Sequence, residues 1–489
     1  MQKSKKRSIT QRGKDYMRLQ DILSMATGYL ELGIVLLVIV LVAILVGYFG
    51  IYIKLCKGKR KLDFKQIFWW FILIFYLFVV LSVTLFRAYS SGSGQIISLF
   101  YSYKEAWISA SETDWRYIVL NILMFVPLGF WLPFGKKRFR VFWKTYLLGF
   151  VLTVGIELFQ MVFSLGLCEV ADVFNNTLGT MIGYGFYKVV EYIILFYRKE
   201  RPKLFGLIIG QIPLILAVCM FTIIFVAYQK QELGNLQIEC ISPYKKDAFQ
   251  IVSNEAYSEN QKKMLVYQTN RLTVEETEVF ARTFFENLGT TLDETRIDVY
   301  ENTAVYWASD SYSIWVDYKG GTYDMTDFDT SFPDEDGEQP QEVTDATKEV
   351  ILEALNKYGI EIPEGASFSY TRENGYAFTV EQWEKDGIMY DGVLTCDYYD
   401  NGKFANIRNG IGQYTVYKEF EIRSEQEAYE KILEGNFVWA ANAGGKMEVG
   451  KVSLDYMLDT KGFYQPIYSF EVRVEGEEHC VQIPAINKK

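Results

Sequence analysis

The chain has 489 residues, of which 50% are hydrophobic and 22% charged, and its formal net charge is −10. Two unlike parts lie behind these averages: residues 1–228 hold 26 Lys and Arg against 12 Asp and Glu (net +14), and residues 229–489 hold 24 against 48 (net −24). The acidic balance excludes nucleic acid as a partner of the second part, and a single histidine, His479, excludes a histidine-based zinc site or a Ser-His-Asp triad.

Six apolar stretches in residues 1–228 approach or exceed the roughly 20 residues that a helix needs to cross the hydrocarbon core of a membrane. We therefore predict a membrane all-α bundle of about six transmembrane helices. The first stretch is too long for a cleavable signal, and no small-residue cleavage site follows it. In chain order the stretches are Leu30 to Ile53, Ile67 to Phe86, Tyr117 to Phe134, Tyr146 to Phe163, Phe174 to Phe196, and Phe205 to Tyr228.

Basic residues concentrate in the loops after the first, third and fifth stretches, which the positive-inside rule places in the cytoplasm. The two intervening loops, residues 88–116 and 164–173, contain only Lys104 and Arg116 as basic residues. The last span therefore runs outward, and residues 229–489 are predicted to be extracytoplasmic. The same count places the basic tail of residues 1–18 outside as well, so either the tail is translocated or residues 16–53 do not form one simple crossing.

Polar side chains inside the apolar stretches are candidate functional residues, because burying them in lipid is costly. Glu157 and Gln160 share a helix face, and Asn176 lies one turn after Asp172. In the predicted topology the cluster falls in the outward half of its spans, which indicates a polar pocket at the outer leaflet. Gly179 and Gly183 form a GxxxG spacing that would let the fifth span pack closely against a neighbour. The alternative is that the polar groups only satisfy one another, with Glu157 paired to Arg87. The predicted binding residues, with no metal or cofactor, are Arg87, Asn121, Glu157, Gln160, Asp172, Asn175 and Asn176.

Three ordered runs in this region resemble the VanZ-like membrane family, and the resemblance covers about Phe68 to Tyr197. The runs are Asn121-Ile-Leu-Met-Phe-Val-Pro-Leu-Gly129, Ile156-Glu-Leu-Phe-Gln160, and Asp172-Val-Phe-Asn-Asn-Thr-Leu-Gly179 followed by Gly183. The resemblance implies a compact cell-membrane domain whose namesake is associated with low-level teicoplanin (glycopeptide) resistance. Many members carry a second aspartate where this chain has Ala171. This departure weakens a paired-carboxylate mechanism and leaves Glu157 and Asp172 as the acidic pair, with Glu169 as a possible third.

The chain is expected to divide into residues 1–66 (basic tail and first transmembrane helix), 67–198 (VanZ-like domain), 199–228 (last transmembrane helix) and 229–489 (extracytoplasmic α+β domain). In the last part, Ser313 to Tyr318 before Gly320-Gly321 and the Asp400-Asn401-Gly402 turn indicate β-hairpins. Predicted helices at Val274 to Leu288, Asp345 to Tyr358, and Glu425 to Glu434 each follow a Ser or Thr and precede a Gly, and the first and third have the S/T-x-x-E capping box. They predict three helix-plus-antiparallel-sheet units. The segments Gly462 to Tyr468 and Ile483 to Ile486 are weakly similar to YycI-like extracellular regulatory domains.

These features favour a VanZ-like integral membrane protein whose pocket engages a cell-envelope lipid or lipoglycopeptide and contributes to teicoplanin resistance. One alternative is an intramembrane enzyme acting on a lipid-linked envelope substrate, with Glu157 or Asp172 as general acid or base and Arg87 holding an anionic headgroup. Another is a membrane-anchored extracytoplasmic sensor whose acidic domain binds a protein partner.

Overall fold

The computed structural model of the chain describes residues 64–85, 96–163, 168–201, 203–241, 249–332, 340–371, 375–439 and 445–487. The chain forms two compact units, of which the first ends at Glu232 and the second begins at Leu233. The predicted span from Leu30 to Ile53 and the candidate residue Arg87 lie outside the described residues.

Helices make up nearly all of the described part of the first unit. It contains α1 (Phe64–Leu85), β1 (Ile96–Ile97), α2 (Tyr101–Ser109), α3 (Glu112–Gly135), a 3-10 turn (Lys137–Arg140), α4 (Phe142–Val162), β2 (Cys168–Glu169), α5 (Val170–Tyr197) and α6 (Leu204–Lys230). The short helix α2 was not predicted, because nine residues of mixed polarity carry little periodic signal. The strands β1 and β2 pair in parallel.

Within the described residues, three helices are long and apolar enough to cross a membrane, namely α3, α4 and α6. The predicted number of six transmembrane helices is therefore not confirmed. Helix α1 has a shorter apolar run, Phe68–Ser82. Helix α5 is 28 residues long, but its polar residues, among them Asp172, Lys188 and Glu191, lower its apolar character.

Helix α3 contributes to two buried clusters of the bundle. One of its faces packs with α1 and α4, where Trp69, Phe125 and Ile156 belong to one buried cluster. Another face packs with α5 and α6 through Ile122, Ile182 and Ala217. The two clusters therefore join α3 to four other helices of the bundle.

The predicted GxxxG spacing of α5 allows a close contact with α3. A Cβ atom added to Gly179 would lie 1.9 Å from the carbonyl oxygen of Ile122, and one added to Gly183 would lie 2.0 Å from that of Val126. Both distances are far below van der Waals contact, so only glycine permits this approach of α5 to the α3 backbone.

One large mixed sheet with four helices makes up the second unit. Its elements are β3 (Phe249–Ser253), β4 (Lys262–Thr269), α7 (Val274–Asn287), β5 (Ile297–Val299), β6 (Thr303–Ala308), β7 (Tyr312–Asp317), β8 (Tyr323–Asp327), α8 (Phe328–Ser331), α9 (Lys348–Lys357), β9 (Ser367–Tyr370), β10 (Tyr376–Lys385), β11 (Ile388–Cys396), β12 (Asn406–Asn409), β13 (Gly412–Ile422), α10 (Glu425–Leu433), β14 (Gly445–Leu458), β15 (Phe463–Val474) and β16 (Glu477–Pro484).

The sheet has the strand order β3-β14-β15-β4-β13-β11-β12-β8-β7-β6-β5, with β10 between β11 and β9 and with β16 beside β15. Its described pairings are antiparallel except for β3 with β14, which is parallel. Both predicted hairpins are present: β7 pairs with β8 and β11 pairs with β12. Gly402, in the second turn, has a φ of 78°, which explains the glycine at that position.

The helices pack on two hydrophobic cores, whereas three separate units were predicted. Phe285 of α7 and Leu355 of α9 belong to one core, and Ile432 of α10 belongs to the other. The capping boxes predicted for α7 and α10 are present. Helix α9 begins at Lys348 rather than Asp345, and its N-cap Thr347 makes no side-chain cap hydrogen bond.

A buried aspartate anchors the first residues of this unit to the turn between β14 and β15. Asp459, 3% exposed, accepts hydrogen bonds from the backbone N–H groups of Gly234 at 2.6 Å, Lys461 at 2.7 Å and Phe463 at 2.9 Å. It also accepts one from Nε2 of Gln465 at 2.5 Å. These bonds satisfy a carboxylate that would otherwise be costly to bury.

Candidate functional site

The candidate site lies at the end of the bundle where β1 and β2 bring two loops together. Ile97 is paired in register with Glu169, and Ser102 of α2 donates a hydrogen bond to Oε2 of Glu169 at 2.7 Å. These contacts place α2 beside the first turn of α5, which begins at Val170. The polar residues of α3, α4 and α5 lie around this junction.

Glu157 is the most deeply placed carboxylate of the cluster. Its side chain lies on α4, the residue is 4% exposed, and one of its oxygens accepts a hydrogen bond from the backbone N–H of Glu169 at 3.0 Å. The end of α4 is thereby joined to β2. Arg87, the basic partner considered from the sequence, lies outside the described residues, so the Glu157–Arg87 pairing stays a prediction.

Asp172 occupies the first turn of α5 and accepts a hydrogen bond from Nδ2 of Asn121, on α3, at 2.6 Å. A carboxylate in this position is favoured by the unpaired N–H groups and the positive dipole end of the helix. The contact brings together two of the sequence-predicted residues from different spans.

The next residue of this face, Asn175, is 1% exposed and accepts a hydrogen bond from the hydroxyl of Tyr103 at 2.5 Å. Burial, with a smaller contribution from the Asp172 carboxylate, raises the pKa of Tyr103 to about 12. The phenol is therefore protonated at neutral pH and donates to Asn175. Tyr103, on the unpredicted helix α2, is a site residue that the sequence analysis missed.

Asn176 links α5 to α4 one turn deeper. Its Nδ2 donates to Oγ1 of Thr153 at 2.9 Å, and the residue is 2% exposed. Among the described residues its Oδ1 has no hydrogen-bond partner, nor has Oγ1 of the neighbouring Thr177. Buried polar atoms without partners are uncommon in folded proteins. The Oδ1 atom of Asn176 is therefore a buried hydrogen-bond acceptor that no described group uses. Thr153, four residues before Glu157, was also missed.

Gln160 bonds to a different helix from the rest of this group. Its Nε2 donates to the backbone carbonyl of Thr84 near the end of α1 at 2.8 Å. The structure therefore brings Asn121, Glu157, Asp172, Asn175 and Asn176 to one end of the bundle, whereas Gln160 joins α4 to α1. The residue spacing could not show this, because two residues on one helix face can still meet partners on different helices.

Helix α6 ends at the same end of the bundle. The ring of Tyr228 contacts that of Trp107 on α2, with centroids 5.9 Å apart, and Phe221 contacts Trp115 on α3 with centroids 6.1 Å apart. The chain therefore leaves the bundle beside α2 and the polar cluster. The basic 3-10 turn at Lys137–Arg140 connects the other ends of α3 and α4.

The chemistry available in the cluster is that of carboxylates, amides and hydroxyls. Within the described part of the chain, no group of three or more His, Cys, Asp or Glu side chains is arranged to hold a metal ion. The donors and acceptors are suited to holding a polar group by hydrogen bonds. Glu157 and Asp172 are carboxyl groups that could also donate a proton to a bound ligand or accept one from it.

Comparison with known families agrees with the sequence runs. Residues 67–194 match the VanZ/LLP1 family model, which confirms the resemblance and shows that this part of the chain is VanZ-like. Together with the long apolar helices, the match indicates a membrane protein. No curated protein matches the chain.

Two of the solved structures that match this chain have low identity and low TM-scores. An uncharacterized protein from Eubacterium rectale ATCC 33656 has 11% identity and a TM-score of 0.26, covering 48% of this chain and 87% of that one. The Bacillus megaterium YpeB C-terminal domain has 10% identity and a TM-score of 0.19, covering 45% of this chain and 95% of that one. TM-scores this low assign no fold to this chain.

Proposed function

We propose that this chain, VanZ-like over residues 67–194, binds an amphiphile at the outer leaflet of the cell membrane through the polar cluster of its bundle. The ligand would be either a lipoglycopeptide such as teicoplanin or a cell-envelope lipid, and its polar part would lie in the cluster. The observation that carries the proposal is the buried amide of Asn176, whose Oδ1 has no partner among the described residues. A ligand N–H or O–H group would supply the missing donor.

An apolar surface next to the cluster supports an amphiphile rather than a fully polar ligand. Val162 and Phe163, at the end of α4, are 69% and 59% exposed. The rings of Phe159 and Phe163 lie with centroids 4.3 Å apart. An acyl chain could pack against these side chains within the lipid phase, while the attached polar group reaches Glu157 and Asn176.

A binding measurement on the purified full chain in nanodiscs tests the proposal. Teicoplanin is expected to bind more tightly than vancomycin, which has a similar glycopeptide core but no acyl chain. Glu157→Gln keeps an oxygen for the Glu169 N–H and removes the carboxyl group, whereas Asn176→Ala removes the buried amide. Each variant is expected to weaken teicoplanin binding by about tenfold or more, which corresponds to ~1.4 kcal/mol.

Gly155→Ala is the matched control, because a Cβ atom at this α4 position would meet nothing within 4 Å. It should bind teicoplanin as the wild type does. Unchanged affinity of the folded Glu157→Gln and Asn176→Ala variants would contradict the proposal.

The proposed orientation places the cluster and the end of α6 outside the cell. It rests on the basic residues of the 3-10 turn and the α5–α6 connection, which the positive-inside rule assigns to the cytoplasm. A C-terminal tag should be accessible to a membrane-impermeant reagent in intact cells, and a tag inserted at the 3-10 turn should not. The reverse pattern would overturn this orientation.

A second candidate function is intramembrane catalysis on a lipid-linked envelope substrate. It is favoured by the two carboxylates, Glu157 and Asp172, that flank the same junction on α4 and α5. Incubating the purified chain with labelled envelope lipids over a range of pH should then give a product that Glu157→Gln abolishes. The absence of any product would leave binding as the function of the cluster.

A further inference from the structure

The outward side of four strands in the second unit carries an unusual set of side chains. Strands β6, β7, β8 and β12 are adjacent and antiparallel, so residues in register lie side by side on one face. Two registered rows cross these strands on the face opposite the core of Tyr306, Ile314 and Met325. The first row is Val305, Trp315, Asp324 and Arg408, and the second is Trp307, Ser313, Thr326 and Asn406.

Two exposed aromatic rings lie parallel at one side of this face. The rings of Tyr300 and Trp315 have centroids 5.8 Å apart and an interplanar angle of 7°, and the residues are 50% and 45% exposed. Val305, beside Trp315 in the row, is 1% exposed. Isolated exposed aromatics are common on protein surfaces, but a parallel pair fixed on a rigid sheet presents a flat apolar platform.

Hydrogen-bonding groups continue the rows directly beside the platform. Nε of Arg408 lies 3.2 Å from Oδ1 of Asp324, and both side chains are largely exposed, at 75% and 53%. In the second row Oγ1 of Thr326 donates to Oδ1 of Asn406 at 3.2 Å. The ion pair is neutral as a whole, so Asp324 and Arg408 together offer donors and acceptors without a net charge.

A cavity of about 440 Å³ adjoins the second row. This volume lies in the range of small-ligand sites. Among the described residues, the lining combines hydroxyl groups, an amide and aromatic rings and contains no charged side chain. It consists of Thr326, Ser331, Phe332, Tyr399, Ala405 and Asn406.

We propose that this face of β6, β7, β8 and β12 binds a neutral saccharide chain. The apolar C–H face of a sugar ring would stack on Trp315 and Tyr300, and its hydroxyl groups would bond to Asp324, Arg408 and Asn406. A neighbouring sugar would enter the cavity beside Thr326. The net charge of −24 on residues 229–489 repels anionic polymers, which favours an uncharged glycan as the occupant. This proposal is independent of ligand binding by the bundle.

The test uses the full chain in nanodiscs and three neutral hexasaccharides, made of β-1,4-linked N-acetylglucosamine, β-1,4-linked glucose and α-1,4-linked glucose. Binding is followed by isothermal titration calorimetry and by tryptophan fluorescence. At least one hexasaccharide is expected to bind, and Trp315→Ala and Tyr300→Ala should each weaken it about tenfold or more. Trp315→Phe should retain part of the affinity, and Arg408→Ala should weaken binding without altering the core.

Val416→Ala is the matched control, because Val416 is an exposed sheet residue, 50% accessible, on β13, which is separated from β12 by β11. It should bind as the wild type does, and thermal unfolding of every variant should match the wild type. Failure of all three saccharides to bind, or equal binding by the folded Trp315→Ala and Tyr300→Ala variants, would overturn the proposal. A concentration-dependent dimer that Trp315→Ala disrupts, with no saccharide bound, would instead identify the platform as an interface between copies.

Discussion

Replacing Gly179 with alanine should force α5 away from α3, because the added methyl carbon would lie 1.9 Å from the Ile122 carbonyl oxygen. The obstacle is helix backbone, which cannot rotate aside as a flexible side chain can. Relief requires a shift of about 1 Å or more between two helices, and overpacking of this kind costs ~1–3 kcal/mol. The better helix propensity of alanine returns at most ~1 kcal/mol, so a net loss of up to ~2 kcal/mol is expected.

Gly155→Ala again supplies the comparison, since its Cβ would meet open space and only the favourable helix propensity remains. The two alanine variants should therefore differ by the overpacking cost of ~1–3 kcal/mol, or roughly 2–12 °C in melting temperature for a domain of this size. The assay is thermal loss of the far-UV helical signal of the full chain in detergent. Gly183→Ala should behave as Gly179→Ala does, because its Cβ would lie 2.0 Å from the Val126 carbonyl oxygen.

The same shift should also disturb the candidate site. Asp172 lies two turns before Gly179 on α5 and accepts a hydrogen bond from Asn121 of α3 at 2.6 Å, a contact that cannot tolerate a separation of 1 Å. Teicoplanin binding should fall together with stability in Gly179→Ala and should be unchanged in Gly155→Ala. Coincident melting curves for Gly179→Ala and Gly155→Ala would refute the close packing of α3 and α5.

Three further outcomes are expected. Asp459→Ala removes the acceptor of several hydrogen bonds, including the one donated by the Gly234 N–H. The second unit should therefore lose ~3 kcal/mol in chemical denaturation and be cleaved faster near residue 234. Wild-type protease resistance would contradict this. Thr273→Ala removes a side-chain cap of α7 and should cost ~1 kcal/mol, whereas Thr347→Ala, at a cap without such a bond, should cost clearly less. Burial raises the pKa of the Cys396 thiol to about 12, so a maleimide at pH 8 should modify it only after unfolding, and rapid modification of the native chain would argue against its burial.

The sequence predicted those elements whose signal is local. Helices α3, α4 and α6 follow from long apolar runs, and α7 and α10 follow from capping boxes at Thr273 and Ser424 that the structure confirms. The spacing of Gly179 and Gly183 predicted the close approach of α5 to a neighbour. Each of these features depends on residues within a few turns of one another, which is why composition and periodicity were sufficient.

Features created by distant parts of the chain could not be predicted in the same way. The Tyr103–Asn175 hydrogen bond joins residues 72 positions apart, and its donor belongs to a helix too short to show a pattern. The parallel pairing of β3 with β14 joins segments nearly 200 residues apart, so the predicted antiparallel units did not include it. Asn121 and Asp172 were predicted as site residues from their polarity alone, and only the tertiary packing shows that they bond to each other.

Teicoplanin susceptibility in a glycopeptide-sensitive Gram-positive host measures the central proposal most directly, because it reports whether the polar cluster acts in the cell. The wild-type chain and Gly155→Ala are expected to raise the minimum inhibitory concentration of teicoplanin, whereas Glu157→Gln and Asn176→Ala at equal membrane abundance are expected to leave it at the level of the empty host. Full protection by Glu157→Gln and Asn176→Ala would contradict a role for the cluster.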